Sequence, residues 1–369
     1  MTGRPRVALI HDYLTQYGGA EQVLAALQRI FPAADTFTTL YDADVDLPGI
    51  QRASVHESRL GIVSWFRQHH RAALPLFPLA MRDINRHLAD YDVLIADSSA
   101  WAHQVAPRPG QRLVIYSHSP ARFLYGDADY LGATGISGIG ARAAHLTLAP
   151  YRWLDRRAYR RANIVLANSQ LVADRLRHRL GIDSTVVHPP IEVDTFAPNG
   201  QSASEDWYLL VSRLVPHKRV DLVVKTATTH NLPVKIIGDG RDMTRLRAMA
   251  GPTIEFLGFQ TRPQVINHYQ RCRAFILPGV EDFGMTAVES QASGRPVIAF
   301  NRGGARETVV DGETGVLFDD QSPDSLLGAM RGLDKMVIRS EDCIGNARKF
   351  DESVFRDGIL RAVERAGCE

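Results

Sequence analysis

The sequence is short of the features that define several common classes of protein. Its 369 residues contain only three cysteines, at positions 272, 343 and 368. An odd and unpatterned set of cysteines indicates neither a disulfide framework nor a zinc site, so a reducing compartment is expected. No stretch approaches the roughly 20 apolar residues needed to cross a bilayer, and the start, MTGRPRVALIHDY, lacks the apolar core of a signal peptide. These absences predict a cytoplasmic location.

A large excess of one charge is also missing, since 43 Lys and Arg face 41 Asp and Glu, a net charge of +2. This balance argues against a dedicated nucleic-acid-binding protein. The sequence has no GxxxxGK[ST], GxSxG or HExxH motif, and Met243 stands where a dinucleotide fingerprint starting at Gly238 needs its third glycine. The run Asp42-x-Asp44-x-Asp46 lacks the turn glycine and closing acid of a calcium loop, so we interpret it as solvated.

What the sequence does contain is two series of short apolar runs that alternate with helix-like segments. This alternation predicts βαβ units and parallel sheets, and the length predicts two domains. The predicted strands are residues 6–10, 93–96, 113–116, 164–167 and 185–188, then 207–211, 234–237, 254–257, 274–277 and 297–300. Between the series, APNGQSASED is typical of a linker. We assign an N-terminal domain to residues 1–197, a C-terminal domain to 198–350, and a final helical segment, 351–369, that could cross back to the first domain.

Two candidate sites in the first half lie where predicted strands end. Gly18 and Gly19 precede a helical pattern, where absent side chains allow backbone N–H groups to approach an anion. A plain strand-to-helix turn explains this glycine pair equally well. His118 follows the strand at 113–116, on the edge of the sheet where α/β proteins bind ligands. A structural or merely exposed histidine fits its position equally well.

Polar residues and glycines follow all five predicted strands of the second half. They include Arg213 and Lys218, then Gly238, Gly258, Glu281 and Glu289, and finally Gly303, Gly304 and Glu307. Because the carboxyl ends of parallel strands meet at one edge, these groups are expected to lie together. They suit a nucleotide diphosphate joined to a polyol, with the two cations on the phosphates. The two carboxylates accept hydrogen bonds from hydroxyl groups, and a helix N-terminus after the Phe283-Gly284-Met285 turn favours anionic oxygens.

These motifs resemble a known family. The spacing Glu281-x7-Glu289 within EDFGMTAVESQASGRPVIAFNRGGARETV, with SRLVPHKR upstream and ANSQLVADRL before the domain break, is similar to the retaining glycosyltransferases of family 4. The segments HDYLTQYGGAEQVL, DTFTTLY and YSHSPARFLY resemble more narrowly the bacterial mannosyltransferases that build O-antigen and exopolysaccharide repeats. The resemblance covers nearly the whole chain. It implies an α/β protein with the GT-B fold, in which two Rossmann-like parallel-sheet domains face each other across a cleft.

The resemblance also implies a role for each matching residue. Arg213 and Lys218 match the pair that holds the donor diphosphate, Glu289 the carboxylate on the ribose, and Glu281 the carboxylate near the transferred sugar. The remaining donor contacts are the glycine loop at Gly18 and Gly19, the backbone at Gly238, the turn formed by Phe283, Gly284 and Met285, and His118 beside the sugar. For Asp12, next to the glycine loop, an acceptor contact and a helix-capping role are both consistent with the sequence.

The implied activity is transfer of a hexose with retention, mannose from GDP-mannose above others, to a glycan or a polyprenyl-diphosphate-linked saccharide. Members of the family need no metal, and no other cofactor is expected. A GT-B-type nucleotide-sugar epimerase and a non-catalytic nucleotide-sugar-binding protein are the alternatives. Each shares the architecture without transferring sugar to an acceptor.

Two segments interrupt the strand and helix alternation, residues 60–87 and 151–161. Both interleave arginines with large apolar residues, which suits docking on the anionic inner face of the plasma membrane. The alternative is a pair of helices packed on their own domain with a solvated basic face. Pro75 and Pro78 favour this alternative, because they would break a long amphipathic helix.

Overall fold

The computed structural model describes residues 5–125, 148–198 and 204–368, so part of the predicted linker, 199–203, lies outside the described residues. The chain divides into two compact units: unit 1 is Met1–Pro190 with Ser353–Glu369, and unit 2 is Ile191–Glu352. The sequence placed the division after residue 197. It falls seven residues earlier because the short helix Val193–Phe196 buries Val193 and Phe196 in the core of unit 2.

The core of unit 1 is a parallel sheet of seven strands in the order β3-β2-β1-β4-β5-β6-β7. The strands are β1 Val7–His11, β2 Asp35–Thr38, β3 Val55–Glu57, β4 Val93–Ser98, β5 Arg112–Ser117, β6 Ile164–Ala167 and β7 Thr185–Val186. The central strands β1 and β4 are buried along their whole length. Such continuous burial requires helices on both faces of the sheet, as parallel sheets have.

Helices of unit 1 connect and cover these strands. They are α1 Gly19–Ile30, α2 Trp65–Gln68, α3 His70–Ala73, α4 Phe77–Ile84, α5 Arg122–Tyr125, α6 Ala149–Tyr159 and α7 Gln170–Leu180, with short 3-10 turns at Arg52–Ser54, Arg59–Ile62, Leu74–Leu76, Asn85–His87 and Ala102–Gln104. The segment 60–87 is broken into six short pieces: α2, α3, α4 and the three 3-10 turns at Arg59–Ile62, Leu74–Leu76 and Asn85–His87. Pro75 lies in the second of these turns and Pro78 in the first turn of α4. The sequence-based objection to one long helix is therefore confirmed.

Unit 2 repeats the same plan with six parallel strands in the order β10-β9-β8-β11-β12-β13. Its strands are β8 Tyr208–Val211, β9 Val234–Ile237, β10 Ile254–Gly258, β11 Ala274–Leu277, β12 Val297–Phe300 and β13 Gly315–Phe318. Its helices are α8 Val193–Phe196, α9 Val220–His230, α10 Met243–Met249, α11 Arg262–Arg271, α12 Met285–Ala292, α13 Ala305–Thr308, α14 Pro323–Leu333 and α15 Ser340–Ala347, with 3-10 turns at Pro216–Lys218 and Arg348–Phe350. The predicted class, two Rossmann-like parallel-sheet domains, is confirmed.

The last helix, α16 Glu352–Cys368, returns the chain to unit 1. Four of its side chains, Phe355, Ile359, Ala362 and Ala366, are buried in the cluster that contains Leu9 and Tyr116. Their spacing of three and four residues gives one apolar face, which the sequence pattern from 353 to 365 anticipated. Among the helices of the described ranges, none combines the length and apolarity needed to span a membrane.

Every predicted strand exists, and the structure adds three that were missed: β2, β3 and β13. Asp35–Thr38 carries three polar residues in four, and Val55–Glu57 has only three residues. The third, Gly315–Phe318, is short and begins with glycine, which is uncommon in strands. These strands are held by pairing with a neighbouring strand, a contact that short-range patterns do not record.

The anchoring of α16 can be tested at Phe355, which is 1% exposed. Its ring lies edge-on to the Tyr116 ring, with 5.6 Å between the ring centroids. We expect Phe355→Ala to lower the free energy of unfolding of unit 1 by about 3–5 kcal/mol, because it leaves a cavity in the core. The neighbouring Val354 is 48% exposed, so Val354→Ala should change it by less than about 0.5 kcal/mol. Denaturant unfolding followed by circular dichroism measures both, and equal effects would contradict this packing.

Candidate active site

In unit 2 an ion pair lies where the strand order of the sheet reverses. Lys218 ends the turn after β8, and Glu281 follows β11, the strand beside β8. The Lys218 Nζ lies 2.5 Å from both Glu281 carboxylate oxygens, and the two side chains are only 16% and 18% exposed. Such a reversal point, at the carboxyl ends of the strands, is where open α/β sheets bind ligands.

Arg213, the other predicted cation, follows β8 directly and is exposed. Within the described ranges its guanidinium makes no hydrogen bond or ion pair to another residue. Such a guanidinium can bind a phosphate in bidentate geometry, donating two parallel N–H···O hydrogen bonds. The structure thus distinguishes the two predicted cations, because Lys218 is engaged by Glu281 and Arg213 is not.

Glu289 lies in the middle of α12 and is held by a residue that the sequence did not suggest. Its Oε2 accepts a hydrogen bond of 3.0 Å from the hydroxyl of Tyr269, a buried residue of α11. Burial raises the pKa of Glu289 above its ordinary value, while the Tyr269 hydrogen bond and the charge of Arg262 act in the opposite direction. Oε1 has no hydrogen-bond partner among the described residues, so one oxygen is open to a ligand hydroxyl.

The turn between Glu281 and α12 exposes backbone more than side chain. Phe283 is buried and packs edge-on against Phe350 at 5.4 Å. Gly284 is the N-cap of α12 with a φ of 92°, a left-handed conformation that favours glycine, and because it has no side chain it makes no side-chain capping hydrogen bond. Met285 begins the helix. The three predicted residues therefore place a helix N-terminus with a glycine N-cap a few residues after Glu281.

Gly238, predicted as a donor contact, has a structural reason to be glycine. Its φ is 129°, and a Cβ atom there would stand 1.9 Å from the carbonyl oxygen of Ser212. The loop after β9 thus lies directly against the loop after β8, which carries Arg213. Any larger residue would push the two loops apart.

In unit 1, His118 follows β5 and ends a chain of buried charged side chains. Its Nε2 lies 2.6 Å from Oδ1 of Asp97, whose Oδ2 lies 2.8 Å from Nδ1 of His11. The His11 Nε2 is 3.7 Å from a Glu21 oxygen. His11 ends β1 and Asp97 lies at the end of β4, so this carboxylate–histidine chain also lies where the strand order reverses.

The predicted glycine loop lies at the Glu21 end of this carboxylate–histidine chain. Gly18 caps α1 in an extended conformation, its carbonyl accepts from Gln22 N–H at 3.0 Å, and Gly19 is the first helical residue. Glu21 is in the first turn of this helix. The sequence had singled out His118 and the glycine loop but not the three side chains between them, because nothing local relates residues 11, 21 and 97.

Asp12 has a capping role, the second of the two that the sequence allowed. Its carboxylate is 3% exposed and accepts from four successive backbone N–H groups, those of residues 99 to 102, at 2.6–2.8 Å. The turn that it caps follows β4 and is remote in sequence from the glycine loop. Each carboxylate oxygen accepts from two N–H groups, so backbone hydrogen bonds within unit 1 occupy both oxygens.

Metal ligands do not cluster in the residues that the structure describes: no three His, Cys, Asp or Glu side chains converge in a way that could hold an ion. Metal independence stays a prediction. In the run Asp42 to Asp46 the Asp44 N–H donates to Oδ1 of Asp42 at 3.1 Å and the Val45 N–H donates to the carbonyl oxygen of Asp42 at 3.3 Å.

Two family models match the chain, and together they span residues 17–350. The model described as Glycosyltransferase Family 4 matches residues 17–195, and that described as Glycosyl transferases group 1 matches 194–350. The junction of the two models lies within five residues of the division between unit 1 and unit 2.

Curated relatives are glycosyltransferases of differing specificity. A GDP-mannose-dependent alpha-mannosyltransferase of Mycolicibacterium smegmatis is 30% identical over 56% of this chain and 60% of its own length. A D-inositol 3-phosphate glycosyltransferase of Acidothermus cellulolyticus is 26% identical over 80% of this chain and 75% of its own length. The chain spans only 50% to 60% of the first few curated relatives that it matches.

Solved structures share the fold along the whole chain. Sucrose-phosphate synthase from Thermosynechococcus elongatus matches with a TM-score of 0.79 and 16% identity, over 99% of this chain and 100% of its own. Anabaena HepE, solved in complex with UDP-glucose, matches with a TM-score of 0.69 and 18% identity, over 97% and 99%. At such identities the similarity concerns the fold.

The capping role of Asp12 predicts a large effect on stability. Asp12→Ala leaves four N–H groups without their acceptor, so we expect the free energy of unfolding of unit 1 to fall by at least about 2 kcal/mol. Asp46→Ala, at an exposed aspartate of the same unit, is the matched control. Urea unfolding read by the fluorescence of the buried Trp101 measures both. Unchanged stability in Asp12→Ala would return Asp12 to the role of an acceptor contact.

Proposed function

The chain belongs to glycosyltransferase family 4, and from this membership we propose that it transfers a hexose from a nucleotide sugar to a glycan or lipid-linked saccharide with retention of configuration. Unit 2 would bind the donor. One observation carries the proposal: Glu281, the first residue of the Glu-x7-Glu motif, pairs with Lys218 where the strand order reverses. Arg213, Glu289 and the N-terminus of α12 complete the set of groups that a nucleotide sugar needs.

The chemistry follows from where charge develops. As the bond between the sugar C1 and the phosphate oxygen breaks, the diphosphate gains negative charge and the sugar gains oxocarbenium character. Lys218, Arg213 and the N-terminus of α12 stabilise the leaving diphosphate. The acceptor oxygen bonds to C1 from the same face, and its proton passes to a phosphate oxygen, so the configuration is retained and the atoms balance.

The Lys218–Glu281 ion pair adds a partner exchange to donor binding, which the motif alone does not reveal. Glu281 neutralises Lys218 in this ion pair. A donor phosphate that approaches Lys218 competes with Glu281 and frees this carboxylate, which can then accept hydrogen bonds from the sugar hydroxyls. Donor binding therefore exchanges one partner of Lys218 for another.

For the donor we propose GDP-mannose. The support is the name of the Mycolicibacterium smegmatis relative and the resemblance of the amino-terminal segments to bacterial mannosyltransferases. His118, with the loop at Gly18 and Gly19, would contact the transferred sugar and the diphosphate. A thermal-shift panel of GDP-mannose, UDP-glucose and UDP, repeated with EDTA, tests the base, the sugar and the metal independence together.

Substitution of the ion pair separates binding from transfer. We expect Glu281→Ala to lower the rate of transfer by at least about 100-fold, with nucleotide diphosphate binding unchanged or tighter because Lys218 is released. Lys218→Ala should lose transfer and weaken nucleotide binding by about tenfold or more. Glu313→Ala and Lys225→Ala, at exposed residues of the same unit, are the controls. Titration calorimetry gives the affinities and a product assay gives the rates.

Other outcomes identify the alternatives. Full transfer by Glu281→Ala would overturn the assignment of this residue. Release of a free epimerised nucleotide sugar without acceptor would indicate an epimerase. Binding of nucleotide sugar with neither transfer nor slow hydrolysis of the donor would indicate a non-catalytic binding protein.

We also propose that unit 1 docks on an anionic membrane surface through a docking surface formed by Ile62, Trp65, Leu79 and Trp153, which are 82%, 53%, 60% and 60% exposed. The segments 60–87 and 151–161 both contribute to one cluster around Phe77 and Trp101. Their inward faces pack on the unit, as the alternative interpretation held, while other apolar side chains remain exposed.

Three arginines in or just before the segment 60–87 have acidic partners. Arg67 is paired with Glu57 at 2.8 Å, and Arg59 and Arg86 lie 3.6 Å from Asp83. Arg59 and Arg86 are nevertheless 77% and 70% exposed. Apolar insertion should therefore contribute more than charge, which is the reverse of what a count of arginines suggests.

Vesicle flotation tests the docking surface. The full chain should float with phosphatidylglycerol vesicles, and the double variant Trp65→Ser, Leu79→Ser should lose most of this binding, because two exposed apolar anchors are removed. Met336→Ser with Val337→Ser removes two exposed apolar side chains of unit 2 and should float as the wild type does. Absence of binding by the wild type would refute the docking proposal and leave the transfer proposal intact.

A further inference from the structure

The carboxylate–histidine chain of unit 1, formed by Glu21, His11, Asp97 and His118, is buried at one end and reaches the surface at the other. Asp97 is 0% exposed, and His11 and Glu21 are 2% exposed, whereas the His118 side chain is 13% exposed. Burying three ionisable groups is costly unless each has a charged or hydrogen-bonded partner. Here every buried member has one, so the arrangement is specified by the fold.

His11 carries a positive charge inside this chain. Burial acts against the charged ring, but hydrogen bonds and charges from Asp97 and Glu21 outweigh it and raise the pKa of His11 to about 10. A protonated imidazole donates from both nitrogens. Asp97 therefore receives one hydrogen bond from His11 Nδ1, and only its Oδ1 remains to meet His118.

This geometry selects one tautomer of His118. Since Oδ1 of the ionised Asp97 can only accept, the His118 Nε2 must carry the hydrogen that it donates across 2.6 Å. In the neutral ring the lone pair is then on Nδ1. Among the described residues nothing hydrogen-bonds to Nδ1. This nitrogen is therefore the atom of the carboxylate–histidine chain that a ligand hydroxyl can reach.

We propose that Asp97 is a positioning residue that fixes the orientation and tautomer of His118, and that His11 and Glu21 tie this pair to the helix that begins at the Gly18–Gly19 loop. The inference rests on the proposed function in one respect, the assignment of His118 to the sugar. The two sugar-facing features of unit 1 that the sequence singled out are then parts of a single charged framework. A shift of α1 would be transmitted to His118 through contacts of charged groups.

A second buried histidine–carboxylate pair in the same unit shows what a purely structural pair looks like. His103 lies 2.8 Å from Asp155, and both side chains are at most 1% exposed. The other His103 nitrogen is occupied by Ser98 Oγ at 2.8 Å, and the second Asp155 oxygen by the Tyr125 hydroxyl at 2.6 Å. Every position is filled by protein, in contrast to Nδ1 of His118.

Asp97→Asn tests the proposal because an amide has one acceptor and one donor in place of two acceptors. Glu21 still faces His11 and favours its charged form. His11 Nδ1–H then donates to the carbonyl oxygen, so the amide NH2 faces His118 and forces the hydrogen from Nε2 to Nδ1. The expected result is a change of the neutral His118 tautomer and a fall in kcat of about 10- to 100-fold, with nucleotide affinity unchanged. Two-dimensional NMR of 15N-histidine-labelled full chain reads the tautomer directly.

Asp155→Asn is the matched control, because it alters a buried histidine–carboxylate pair of similar length in the same unit. It should lower the melting temperature to a comparable extent, leave the His118 tautomer as it is, and keep kcat within about threefold of the wild type. In a His118→Gln background, adding Asp97→Asn should lower kcat no further, because the two residues act as one unit.

Several results would overturn the proposal. The neutral His118 of the wild type carrying its hydrogen on Nδ1 would do so even if Asp97→Asn failed to fold. Asp97→Asn with wild-type kcat, or with a loss that adds fully to that of His118→Gln, would leave Asp97 a purely structural residue. The NMR measurement needs no turnover, so a protein that transfers no sugar but shows the expected tautomers would refute the proposed function and leave the positioning intact.

Discussion

Charged side chains held at the reversal of strand order are the constraint on which both units depend. In a parallel sheet every strand ends at the same edge, and beside the reversal point the connecting helices diverge and leave that edge uncovered. Unit 1 places His11 and Asp97 there, and unit 2 places Lys218 and Glu281. Each pair is largely removed from water, a state that is tolerated only because the partners lie within 2.8 Å and 2.5 Å of each other.

The surrounding structure keeps these pairs in place by ordinary packing. Strands β1 and β4 are buried throughout, so His11 and Asp97, at their carboxyl ends, are fixed by a rigid core. In unit 2 the loops are held by close backbone approach, as at Gly238, where no side chain fits. Asp12 performs the same task in unit 1 by binding the turn after β4 through four N–H groups, and this turn directly follows Asp97 and Ser98.

The segment 60–87 shows how one sequence pattern can satisfy two demands. Its prolines divide it into short helices, so successive apolar residues point to different sides. Phe77, Met81 and Ile84 are fully or almost fully buried, while Leu79 remains 60% exposed. A single long helix would have placed its apolar residues on one face, whereas the broken segment both closes the core of unit 1 and leaves apolar side chains in solvent.

The sequence by itself determined the class of fold, the positions of most strands and the Glu281-x7-Glu289 motif, because apolar periodicity and strand-end residues are local properties. It also identified His118 and the glycine loop as positions of interest. Tertiary structure alone decided how these residues are connected: Lys218 with Glu281, Tyr269 with Glu289, and His118 with His11 and Glu21 through Asp97. The hydrogen-bonded pairs among them lie 20 to 86 residues apart in the chain, and only the pairing of strands in the folded sheets and the packing of helices on them bring these pairs within hydrogen-bonding distance.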